Sequence, residues 1–106
     1  MFRTAFLRDR GIRFPEGKRR LEDQVFMVAA YFATDAVAIL GDYPCYFYER
    51  RVEGQNAGAA NVDPEGYYAN LREVLDIVEE NAESGAFRDE LLRHFLGMII
   101  RRVSGV

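Results

Sequence analysis

Asp63-Pro64, followed by Tyr67, Leu71, Val74, Leu75 and Val78, is the pattern that leaves this chain the fewest choices. An aspartate offers its carboxylate to the unpaired first-turn amides of a helix, and a proline suits the first helical position because its missing N–H needs no partner there. The apolar residues then recur every three or four positions, which gathers them on one stripe of a helix expected to end near Asn81. After a Ser84-Gly85 break, Phe87, Leu91, Leu92, Phe95, Met98 and Ile99 repeat the pattern, with Arg101 and Arg102 in a last turn that suits cations. Two apolar stripes joined by so short a break are expected to pack as an antiparallel pair.

The residues before Asp63 are more varied. Phe2, Ala5, Phe6 and Asp9 lie at helical spacing over residues 2–9, with Gly11 as a C-terminal stop. Ile12 to Phe14 is a brief extended segment ended by Pro15, and a loop runs through Gly17. From Leu21 to about Ala33 the apolar residues Leu21, Val25, Val28, Ala29 and Phe32 form a stripe, which Phe26, Met27, Ala30 and Tyr31 widen, so a mostly buried helix is expected. Ala36 to Leu40 and Cys45 to Arg50 are β-branched or aromatic runs, joined through Gly41-Asp42-Tyr43-Pro44, and they predict two strands and a turn. In the second run Cys45, Phe47 and Glu49 alternate with Tyr46, Tyr48 and Arg50, and neither face is purely polar, which predicts cover on both. Gln55 to Asn61 is small and polar, a surface loop that either connects elements or closes over a ligand. The fold class expected is α/β, as an α+β fragment of about four helices with a small two- to three-stranded sheet, in one domain over 1–106.

Composition matters here for what it excludes. With 49% hydrophobic and 29% charged residues the chain can build one core, which sets it apart from disordered chains. The net charge of −3 conceals a gradient: Arg3, Arg8, Arg10, Arg13, Lys18, Arg19 and Arg20 crowd the front, whereas Glu73 to Glu90 is strongly acidic. A uniform nucleic-acid surface is therefore not expected, while a local anion site near the front stays open. Cys45 is the only cysteine, so no internal disulfide can form; it reads as a small core residue, and a reducing, cytoplasmic setting is the simpler expectation. No run of 18 or more apolar residues occurs, so no transmembrane segment is expected, and the Met-Phe-Arg start lacks a signal-peptide core. His94 has no second histidine or cysteine nearby and reads as a partly buried helix residue, not a metal ligand.

The candidate chemistry sits at Phe14-Pro15-Glu16-Gly17-Lys18-Arg19-Arg20-Leu21-Glu22-Asp23-Gln24-Val25-Phe26, where a basic loop runs into two carboxylates that open a helix. The helix dipole and unpaired amides favour negative charge at Glu22 and Asp23 by about 0.3–1 kcal/mol, which capping alone would explain. Lys18, Arg19 and Arg20, and further on Arg50 and Arg51, are either ligand-contacting cations or solvated charges.

The run Gly11 to Phe26, together with Asp42-Tyr43-Pro44-Cys45-Tyr46-Phe47-Tyr48-Glu49-Arg50-Arg51, resembles the acceptor-side, C-terminal segment of bacterial inverting family-2 glycosyltransferases, which have the GT-A fold. The likeness covers residues 1–62 (the catalytic, acceptor-side segment) and extends less specifically to the helical pair at 63–106. It implies that Asp23 acts as general base on an acceptor hydroxyl that attacks the anomeric carbon of a nucleotide sugar, with Glu22 orienting the acceptor. It also implies that Lys18, Arg19, Arg20, Arg50 and Arg51 meet donor diphosphate or an anionic acceptor. The chain departs from the family in lacking an Asp-x-Asp metal site and any strand-loop-helix unit to hold a nucleotide. Donor binding, and the divalent metal expected of a complete enzyme, are thus assigned to a half this sequence does not contain, so this chain would carry no cofactor and be inactive alone. The alternative is a non-catalytic oligomerisation or binding module derived from such an enzyme, and a homo-oligomer is expected, covering its uncovered apolar faces by self-association.

Overall fold

A computed structural model of the chain describes residues 1–49 and 63–103. Four helices form in order: α1 Thr4–Asp9, α2 Glu22–Phe32, α3 Pro64–Asn81 and α4 Ala86–Val103. The described residues contain no strand, which corrects the expected α/β class and its small sheet. Ala36–Leu40 and the described part of the second run, Cys45–Glu49, are irregular and exposed on both sides. Their β-branched and aromatic composition suits a pleated surface, but a strand also needs a neighbour for its backbone N–H and C=O groups, and a lone hairpin is marginal in water. Arg50 and the Gln55–Asn61 loop lie outside the described residues.

Helix ends follow the local chemistry closely. In α1 the Gly11 N–H donates to the Arg8 carbonyl at 3.2 Å and the Ile12 N–H to the Leu7 carbonyl at 2.9 Å, with Gly11 at φ +64. That pair of bonds around a left-handed glycine is a Schellman cap, so Gly11 does stop the helix. The helix begins at Thr4, two residues later than the spacing of Phe2 suggests, and Arg3 at its N-cap makes no side-chain bond. At the start of α3 the Asp63 carboxylate accepts the Gly66 N–H at 2.9 Å and Pro64 occupies the first turn. Its end falls at Asn81, whose side-chain amide donates to the Ile77 carbonyl at 2.8 Å.

The core is built on α3, which packs against both α2 and α4. Tyr67, Leu71, Val74, Leu75 and Val78 are buried along one stripe, and Val74 and Val78 have 0% of their surface exposed. Helix α2 contributes Val28, with Leu21, Val25 and Phe32 packed alongside; α4 contributes Phe95 and Ile99, with Leu91, Leu92 and Met98. The stripes read from the sequence are therefore the ones that pack, except that Phe87, in the first turn of α4, is exposed. Opposite the α3-facing stripe, α2 buries Phe26, whose ring stacks on Phe14 at 4.1 Å and meets Phe2 edge-on at 5.3 Å. Helix α2 is thus held from both sides: the front of the chain wraps one face and the helical pair covers the other.

Two single-residue expectations need correction. Cys45 is exposed, not buried, because nothing among the described residues packs on the segment that carries it. His94 is exposed too, since it lies off the Phe95–Ile99 stripe of α4.

Candidate functional site

The start of α2 presents the two candidate carboxylates. Glu22 is half-buried and Asp23 is exposed, and both lie in the first turn. Asp23 Oδ1 accepts the N–H of Gln24 at 2.9 Å, so the carboxylate satisfies a first-turn amide while remaining open to solvent. An exposed carboxylate anchored by one oxygen at a positive helix end is an arrangement that can accept a proton from a hydroxyl brought to it.

Helix α2 does not start from a conventional cap. Leu21 occupies the capping position with φ 61 and ψ 18 and offers no side-chain bond, while its carbonyl accepts the Val25 N–H at 3.0 Å. The left-handed region costs a residue with a β-carbon roughly 1–2 kcal/mol, and Leu21 is the only described residue other than glycine with positive φ. Its side chain packs on the main core cluster, which sets that burial against the strain. The sharp turn at Leu21 brings the basic loop directly into the helix that carries Asp23.

The loop itself is distributed unevenly. Gly17, at φ +87, makes a turn that a larger residue would strain. Lys18 is exposed, Arg20 is half-buried, and Arg19 reaches across to α3, where its guanidinium forms a salt bridge with Glu73. The Arg19 side chain is 18% exposed against 52% for Glu73, and Arg19 Nε is buried with no hydrogen-bond partner among the described residues. Of the cations singled out in the sequence, Arg19 is thus engaged within the fold, Lys18 faces solvent, and Arg50 and Arg51 lie outside the described residues. Glu73 and Leu21 were not singled out from the sequence. Glu73 reads there as one acid in an acidic helix, and Leu21 as an ordinary member of an apolar stripe.

Among the described residues no three His, Cys, Asp or Glu side chains gather into a group able to hold a metal ion. No described helix is long and apolar enough to cross a membrane.

Set beside known proteins, the chain is similar to a segment of glycosyltransferases. Residues 64–105, which include all of α3 and α4, match the family model of the glycosyl transferase TarS linker domain. The chain is 35% identical over 97 residues to the poly(ribitol-phosphate) beta-N-acetylglucosaminyltransferase TarS of Staphylococcus aureus strain Mu50, an alignment covering 91% of this chain and 17% of that protein. The TarS of strain MW2 is 34% identical over the same coverage. A poly(ribitol-phosphate) beta-glucosyltransferase of Bacillus spizizenii is 27% identical over 96 residues, covering 91% of this chain and 15% of that enzyme. No solved structure matches significantly.

These alignments are longer than the linker match, so the similarity runs well into the residues before α3. The chain is homologous to the linker region of TarS-like glycosyltransferases and to residues adjoining it. The helical pair expected only as a C-terminal tail is the part with its own family model, and the chain spans about a sixth of the length of the relatives it matches.

Proposed function

We propose that this chain is the junction between the acceptor side of a bacterial inverting glycosyltransferase, of the family-2, GT-A type, and its linker. Residues 1–62 carry the acceptor-side catalytic segment and α3–α4 form the linker pair. In the reaction, Asp23 takes the proton of an acceptor hydroxyl as that oxygen bonds to the anomeric carbon, and the nucleoside diphosphate leaves with the bonding electron pair. Glu22, half-buried beside it, orients the acceptor. The observation that carries this reading is the exposed Asp23 at the start of α2, in a chain whose similarity to TarS extends across 91% of its length.

The named acceptor of the relatives, poly(ribitol-phosphate), is polyanionic, and the exposed Lys18 with Arg20 in the loop before α2 suits a phosphate-rich polyol chain. The donor half, with its nucleotide site and the divalent metal of a complete enzyme, is assigned to residues outside this chain. The feature that supports this division is in the sequence, which holds no Asp-x-Asp. A reducing, cytoplasmic compartment suits the single exposed thiol of Cys45.

The test is Asp23→Asn in the sugar-transferring protein that carries this segment. Transfer is expected to fall by about 10²–10⁴-fold, the range of a lost general base, with nucleotide-sugar binding unchanged. Transfer within a few-fold of the parent overturns the assignment of Asp23. Calorimetry of the 106-residue chain with nucleotide sugars and manganese tests the division into halves, and metal-dependent binding would contradict it.

One observation favours a second reading, self-association. Val37, Ile39, Leu40, Tyr43, Tyr46, Phe47 and Tyr48 are all exposed in one segment, more apolar surface than a soluble monomer usually leaves bare. A monomer by light scattering at high concentration excludes this reading for the isolated chain.

A further inference from the structure

We propose that Glu73 on α3 is a positioning residue for Asp23, acting through Arg19, so that the linker pair holds the general base in place as well as joining domains. The inference rests on the assignment of Asp23 above, and two observations converge on it. The salt bridge joins residues 54 apart in sequence, one in the loop that feeds α2 and the other on the linker helix. The strained left-handed Leu21 lies between Arg19 and Asp23, and a residue in such a conformation persists only when its surroundings over-determine it. Leu21 is held on its C-terminal side by the first helical bond, to Val25, and its side chain packs on the core cluster. On the N-terminal side Arg19 ties the loop to Glu73.

The guanidinium is mostly buried, and its Nε has no partner among the described residues. A buried cation of this kind depends on its carboxylate more than a surface pair does, since removing Glu73 leaves the charge without compensation. The loop would then relax toward solvent, and the left-handed turn that aims the first turn of α2 would lose an anchor. A displaced base costs rate and not donor affinity, because proton transfer from the acceptor depends on positions fixed to a fraction of an ångström. Arg19, on this account, is not a phosphate ligand: its charge is already used in the fold, and an anion is left to Lys18 and Arg20.

The experiment pairs a structural with a kinetic readout. In the 106-residue chain, Glu73→Gln is expected to speed hydrogen exchange of the Val25 amide by roughly 10-fold or more, while Val78 and Phe95 amides in the α3–α4 core keep their protection. Equal loss at all three sites would show general destabilisation and overturn the proposal. In the sugar-transferring protein, Glu73→Gln is expected to lower kcat about 10-fold with little change in KM for the nucleotide sugar. The exchange of charges, Arg19→Glu with Glu73→Arg, is expected to recover Val25 protection and most of kcat. Unchanged or higher kcat in Glu73→Gln would instead mean that Arg19 serves a ligand once released, and would also overturn the proposal. Failure of Asp23→Asn to reduce transfer strikes the base assignment, whereas the Val25 exchange result stands or falls independently of it.

Discussion

The segment at 36–49 and the helical unit of α2, α3 and α4 have similar shares of large apolar residues and opposite fates. In the helical unit these side chains meet one another, and Val74 and Val78 are fully enclosed. In the segment they meet nothing, so that Ile39 is 93% exposed and Phe47 75%. The difference lies in what each kind of backbone requires. A helix satisfies its own hydrogen bonds and needs partners only along a stripe, and three helices in one short chain supply them to each other. A β-rich run needs a neighbouring strand before its side chains have a surface to pack on. One region is complete within this chain; the other carries a pattern that the described residues do not complete.

The comparison can be broken most forcefully at the core. Phe95→Ala removes a buried ring from the junction of α4 with α3 and is expected to destabilise the chain by about 3–5 kcal/mol, read as a lower denaturation midpoint. A loss below about 1 kcal/mol would mean that the helical pair does not carry the stability assigned to it. Asp63→Ala is a smaller test of the same unit. It removes the carboxylate that accepts the Gly66 N–H, and about 1 kcal/mol is expected, with α3 fraying at its first turn by hydrogen exchange.

What the sequence made legible follows the same division. The Asp63-Pro64 start, the Gly11 stop and the stripe Leu21-Val25-Val28-Phe32 were readable because caps and 3.6-residue periodicity are local signals with local outcomes. The strands over 36–40 and 45–50 were misread for a physical reason: period and composition report what a segment suits, while strand formation depends on a partner elsewhere in the chain. Cys45 went wrong with them, since its expected burial assumed a sheet around it. At the candidate site, Glu22 and Asp23 were visible as acids at a helix start. The Arg19–Glu73 pair was invisible, because no periodicity links a loop arginine to one acid among many on a helix far along the chain. The left-handed Leu21 was hidden too, as leucine gives no signal for a conformation that glycine and asparagine usually occupy.

The smallest stability effect is expected in the exposed segment, where it is paired with a separate readout. Phe47→Ser replaces a ring with little cover, so unfolding stability should change by no more than about 0.5 kcal/mol, as for surface sites generally. Association should respond differently. If the bare apolar side chains from Val37 to Tyr48 draw copies of the chain together, the substitution should shift light scattering toward monomer while the midpoint of unfolding stays put. A drop in stability comparable to that of Phe95→Ala would show instead that Phe47 is buried in the folded chain, and the contrast between the two regions would collapse. A change in association without a change in stability would separate them cleanly: the helices would hold the fold, and the segment would be surface whose partner lies outside it.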